Sequence, residues 1–106
     1  MMAKKKILVV EDNMLNREML KSILSPEYEI LEAENGQEAL SILQAQEGDI
    51  SLILLDIVMP IMNGYAFLSR IKADDACSLI PVVVTTQSSS EEDEVEALAH
   101  GATDFV

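Results

Sequence analysis

Short unbroken apolar runs alternate along this chain with longer stretches whose apolar residues recur every three to four positions. Ile7 to Val10, Ile50 to Leu55 and Val82 to Thr85 are of the first kind and predict strands covered on both faces. "YEILEA", residues 28 to 33, sets Tyr28 and Ile30 against Glu29 and predicts a more exposed strand. Leu15, Met19, Leu20, Ile23 and Leu24 predict one amphipathic helix, and Ala39, Leu40 and Leu43 a second. Gly64, Phe67, Leu68 and Ile71 predict a third helix, and Val95, Leu98 and Ala99 a fourth.

Punctuation residues fall where these periods change. Asn35 with Glu38 three residues on makes a capping-box start. "SSS", residues 88 to 90, precedes Glu91, Glu92 and Asp93, which places a cap and then acids where a helix dipole favours them. Pro26, Gly48 and Gly101 mark stops, and Pro81 opens a strand where no ladder N–H is required. The order is β-α-β-α-β-α-β-α, and "TDFV" then begins a fifth strand. Strict alternation with short connections predicts right-handed crossovers and an open parallel α/β sheet with helices on both faces. No repeat or linker divides the chain, so residues 1–106 read as one domain.

Charge and cysteine usage narrow the class of partner. Seven basic against 19 acidic residues give a net charge of -12, which repels nucleic acid and anionic membranes. Cations and basic protein surfaces are the favoured company. No apolar run approaches the roughly twenty residues of a bilayer span. "MMAKKK" lacks the following stretch of about seven to fifteen apolar residues that a signal peptide requires. A single cysteine, Cys77 in "ADDACSLIP", has no internal disulfide partner and reads as structurally incidental. A soluble protein of the reducing cytoplasm is expected.

In a sheet of this kind, function collects at the carboxyl ends of the strands, where strand order reverses. The first strand ends in "VVEDN", giving Glu11 and Asp12; the third ends at Asp56; the fourth ends in "VTTQ", giving Thr85 and Thr86. If the first and third strands are neighbours, the carboxylates of Glu11, Asp12 and Asp56 converge. Such a group needs a neutralising cation, and an all-oxygen acidic pocket open to water suits Mg²⁺. An ionised aspartate beside that ion can also act as a nucleophile toward phosphorus, with a hydroxyl such as that of Thr86 donating to a phosphoryl oxygen. Spacing alone allows this chemistry without singling it out. Alone, Asp56 would be a helix cap or a loop residue; the company of Glu11, Asp12 and Thr86 at matching strand ends favours function.

With these residues in hand, the chain resembles the receiver domains of two-component response regulators, from about Lys5 to Val106. Asp56 opens "DIVMPIMNG", similar to the family's D-x-x-M-P-x-M-[DN]-G run, and follows the Glu11-Asp12 pair at the family's separation. "VEDNMLNRE" looks like receivers attached to hybrid sensor kinases. The resemblance implies a doubly wound sheet in the flavodoxin-like order 2-1-3-4-5, with the fifth strand at the C-terminus and the fifth helix missing. It implies that Asp56 accepts a phosphoryl group from a phosphohistidine on a histidine kinase or histidine phosphotransfer protein. It further implies that Glu11, Asp12, Asp56 and the backbone carbonyl of Val58 hold Mg²⁺. Thr86 stands at the switch hydroxyl position and Phe105 at the switch aromatic, whose inward rotation would remodel a protein-binding face. Such a domain catalyses its own aspartyl phosphorylation and dephosphorylation rather than the turnover of a separate substrate.

The sequence departs from the family pattern in places. Val106 precedes the position of the family's lysine after the fifth strand, so the receiver is expected to be C-terminally incomplete. If the polypeptide ended there, part of the first helix would lie uncovered, and a homodimer or an exchanged element is the expected remedy. Glu11 replaces the commoner aspartate, and Gln87 stands after Thr86 where a small residue is usual. Val58 offers no polar group to an attacking water, so slow self-hydrolysis is expected.

Plainer readings apply elsewhere. Asn63-Gly64 reads as a turn and helix start, Met59 and Met62 as packing, Pro60 as shaping the loop, and His100 as a C-terminal dipole partner. Phe105 reads equally as ordinary core or as a switch. The acidic run 91–96 reads as a solvated helix face, and Asn16 and Arg17 as surface residues of the first helix, near where a phosphotransfer helix could dock. Three other functions compete with phosphoacceptance. A phosphorylation-independent binding module would keep the fold with its switch uncoupled. A hydrolase using an aspartyl phosphate would need a general acid that is not evident. A flavin domain would need a Ser/Thr/Gly-rich phosphate loop where "EDN" would repel phosphate.

Overall fold

The computed structural model describes residues 4–46, 49–55, 64–75, 77–84 and 104–105. Five strands, β1 (Lys6–Val10), β2 (Glu29–Ala33), β3 (Leu52–Leu55), β4 (Val82–Val84) and β5 (Asp104–Phe105), form one parallel sheet in the order β2-β1-β3-β4-β5. Among the described residues, three helices lie between them in sequence: α1 (Met14–Leu24), α2 (Gly36–Ala45) and α3 (Gly64–Lys72). This is an open, flavodoxin-like α/β sheet. The stripe at Val95, Leu98 and Ala99, expected to be a fourth helix, lies outside the described residues.

The direction of each crossover determines where its helix goes. From β1 the chain steps outward to β2, whereas β2 to β3 and β3 to β4 step the opposite way. Right-handed connections therefore put α1 on one face of the sheet and α2 and α3 on the other. Contacts agree, since α2 packs on α3 while α1 packs on β1 and β2. Side-chain alternation divides β1 between the faces. Leu8 and Val10 join Ile53, Leu55, Val82 and Val84 beneath α2 and α3, where Leu43, Phe67, Leu68 and Ile71 complete the main core. Ile7 and Val9, also buried, point to the α1 side.

Ends and edges follow local chemistry. Asn35 caps α2 by accepting from the Glu38 N–H at 2.8 Å, and Asn13 caps α1 by accepting from the Asn16 N–H at 3.1 Å. The edge strand β2 is the more exposed strand expected from its alternation. Ile50, expected at the start of the third strand, is buried just before it, and the Ser51 N–H bonds the Lys6 carbonyl at 2.8 Å to lead the chain in. Lys72 closes the passage from α3 to β4 by donating to the Ser78 and Ile80 carbonyls, each at 3.2 Å.

Helix α1 does not bury the apolar stripe that its sequence offers. Leu15, Met19 and Ile23 are exposed, Leu20 and Leu24 are half-buried, and the residue that α1 buries is Arg17. The apolar positions span more of the helix circumference than one contact face can cover, so the sheet takes only the Leu20–Leu24 side. Arg17 lies on that side and is drawn inward by acceptors. The expectation of a surface Arg17 is thereby corrected; Asn16 is half-buried.

Candidate functional site

Strand order reverses between β1 and β3, the place at which open α/β sheets bind their ligands. Glu11 and Asp12 stand at that point, directly after β1. Parallel pairing sets Val10 opposite Leu55 and Leu55 opposite Val84. Glu11 thus leaves the sheet level with the end of β3, whose next residue in sequence is Asp56. Asp56, Val58, Thr85 and Thr86 lie outside the described residues. Phe105 is placed by its backbone in β5, opposite Val84.

The two acids differ in surroundings. Glu11 is 7% exposed, whereas Asp12 is open to solvent. The Glu11 backbone N–H donates to the Ala33 carbonyl at 3.0 Å, fastening the loop to the end of β2. Its Oε1 accepts from the Asn13 N–H at 3.2 Å, so the carboxylate folds back toward the start of α1. A buried carboxylate beside an exposed one, with oxygen as the only donor type, suits a hard divalent cation that keeps part of its water. Among the described residues no group of three potential metal ligands is assembled. Glu11 and Asp12 are the part of the expected set that is described, and they are consecutive in the loop after β1.

Sequence reasoning missed the residue beneath this loop. Among the described residues only Glu11 and Arg17 are buried charged side chains, and Arg17 reaches under the loop that carries Glu11. Its Nη1 donates to the Glu11 carbonyl at 2.8 Å and to the Asp12 carbonyl at 3.3 Å. On the other side it faces Glu32 at 3.7 Å and Glu34 at 3.6 Å, and Lys21 joins the same Glu32 carboxylate at 3.6 Å. The available signal was pairing: Arg17 and Lys21 are one helical turn apart, and Glu32 and Glu34 flank the end of the neighbouring strand.

Comparison with known proteins gives the same picture. Residues 7–106 match the response regulator receiver domain family. Histidine kinase P4 of Formosa agariphila is 44% identical over 103 residues, 97% of this chain, of which this chain spans 7% of the length. The phosphorylated cyanobacterial phytochrome response regulator RcpA superposes with a TM-score of 0.88 at 32% identity, covering 98% of this chain and 80% of that one. The Mn²⁺-bound form of response regulator Rcp1 superposes with a TM-score of 0.85 at 30% identity, covering 96% and 79%. No helix among the described residues is long and apolar enough to cross a membrane. Sheet order, an acidic loop at the point where that order reverses, and a family match over nearly the whole chain agree: the protein belongs to the receiver domains of two-component signalling.

Proposed function

We propose that residues 1–106 act as a phosphoacceptor in a phosphorelay, with Asp56 receiving the phosphoryl group. The donor is a phosphohistidine on a histidine kinase or a histidine phosphotransfer protein. A carboxylate oxygen of Asp56 forms the new P–O bond while the P–N bond of the phosphohistidine breaks, its electron pair remaining on the imidazole nitrogen. Glu11, Asp12, Asp56 and the Val58 carbonyl would hold Mg²⁺, which when bound offsets charge on the phosphoryl oxygens. Thr86 donates its hydroxyl to one of those oxygens, and Phe105 reports the change to a protein-binding face. The covalent group thereby shifts a conformational population and with it the affinity for a partner.

The observation that carries this reading is the register of β1 against β3. Val10 opposite Leu55 aligns the two places in the sequence where an acid follows an apolar strand, Glu11-Asp12 and Asp56. Support also comes from the metal-bound and phosphorylated states in which Rcp1 and RcpA were crystallised. Incubation with acetyl phosphate and Mg²⁺, followed by intact-mass and peptide mass spectrometry, tests it. One phosphoryl group on Asp56, lost in Asp56→Asn and without Mg²⁺, is the expected result. An unmodified Asp56 in folded protein would sink this reading in favour of a binding module independent of phosphorylation.

A further inference from the structure

Arg17 occupies a position that its charge alone does not explain. A guanidinium beside two acids that hold a cation repels that cation, and water would solvate it better than the interior does. Yet the side chain is only 10% exposed and gives its Nη1 to the loop that carries those acids. We propose that Arg17 is a positioning residue for the divalent-cation site, a proposal that rests on the reading of Glu11 and Asp12 as metal ligands.

The planar fork of the guanidinium makes this work. Nη1 alone gathers the carbonyls of Glu11 and Asp12, at 2.8 and 3.3 Å, which fixes the peptide planes from which both carboxylates project. Nε and Nη2 are left for the acids at the end of the neighbouring strand. The opposite side faces Glu32 of β2 and Glu34 just beyond it. The end of β1, the start of α1 and the end of β2 are thereby joined through one side chain. Glu32 and Glu34 also offset the positive charge, so that the clamp repels the bound ion less. Lys21, on Glu32, keeps that carboxylate in place. Arg17 meets Glu11 and Asp12 through their backbone carbonyls.

Position and charge predict opposite outcomes, and this makes the idea testable. Removing a nearby positive charge strengthens cation binding if electrostatics is all that Arg17 contributes. Binding weakens if the clamp sets ligand geometry. The experiment is a titration of the unphosphorylated protein with Mn²⁺ followed by electron paramagnetic resonance, on wild type, Arg17→Gln and Arg17→Lys, each checked for folding by circular dichroism. Loss of an outer-shell partner typically weakens metal binding by about tenfold or more, and that is expected in both variants, since lysine keeps the charge but lacks the fork. Glu34→Gln, which leaves both carbonyl bonds in place, is expected to change affinity by less than about twofold. Wild-type or tighter affinity in folded Arg17→Gln overturns the proposal, as does full retention in Arg17→Lys. If Arg17→Gln does not fold, Arg17→Lys decides by the same criterion. Wild type that binds no Mn²⁺ removes the metal-site reading itself, an outcome distinct from equal binding by wild type and variants.

Discussion

The thiol of Cys77 is 5% exposed, in the turn between α3 and β4, and its N–H bonds the Asp74 carbonyl at 3.0 Å. Burial, and secondarily the Asp74 carboxylate, push its pKa above the ordinary thiol value. Because the folded value is raised, the thiol contributes stability that is fully present below the unfolded pKa and is lost as pH rises through the native one. Resistance to urea should therefore fall at alkaline pH, and Cys77→Ala should flatten that decline; an unchanged slope would count against it. Cys77, read from "ADDACSLIP" as incidental, packs as one of the buried residues of the main core. Arg17 was less legible. General rules place arginine in water, and the spacing of Arg17 and Lys21 against Glu32 and Glu34 hints only at ion pairs. The carbonyls that draw it in are acceptors every residue has, and only folding brings them to one place.

At the scale of elements, the two helix caps separate stability from function. Asn35 and Asn13 each accept a backbone N–H in the first turn of a helix, at 2.8 and 3.1 Å. Replacing either by alanine should lower stability by about 1 kcal/mol in urea unfolding. Asn13 adjoins Asp12, and its N–H donates to Glu11, so loosening its backbone disturbs the acidic loop as well. Asn13→Ala should therefore also weaken Mn²⁺ binding, whereas Asn35→Ala should leave it unchanged; equal effects would show that the cap next to the acids serves stability alone. Asn35 was visible in the sequence because Glu38 completes a known pattern. Strands were visible because their apolar runs are uninterrupted, with β3 starting later than Ile50 since burial precedes the first ladder bond. The orientation of α1 was not. Its apolar residues spread over too wide an arc to name one buried face, so Leu15, Met19 and Ile23 stay exposed while Leu20 and Leu24 turn inward.

Over the whole molecule, charge links the site to stability. A net charge of -12 strains the compact state by self-repulsion, and the two acids after β1 concentrate part of that charge at the end of one strand. Alternation of apolar runs was enough to foresee the parallel sheet, and the acids at strand ends followed from it. The order that sets the first strand beside the third was foreseen only through the family resemblance. The register of Val10 against Leu55 came from the folded chain, because pairing is a property of long-range contacts. If those acids hold a divalent ion, Mg²⁺ and Na⁺ must act differently. Sodium screens all charges alike, within a Debye length of about 10 Å at 0.1 M. Magnesium at roughly ten times its dissociation constant should add about 1.4 kcal/mol by linkage, on the order of 5–10 °C in melting temperature for a domain of this size. Thermal unfolding in MgCl₂ against NaCl of equal ionic strength measures the specific part. Asp12→Asn should lose most of that increment while being no less stable than wild type without Mg²⁺, because the substitution relieves repulsion and Asp12 is exposed. Equal stabilisation by both salts, or an undiminished magnesium effect in Asp12→Asn, would mean that the acids after β1 do not hold the ion.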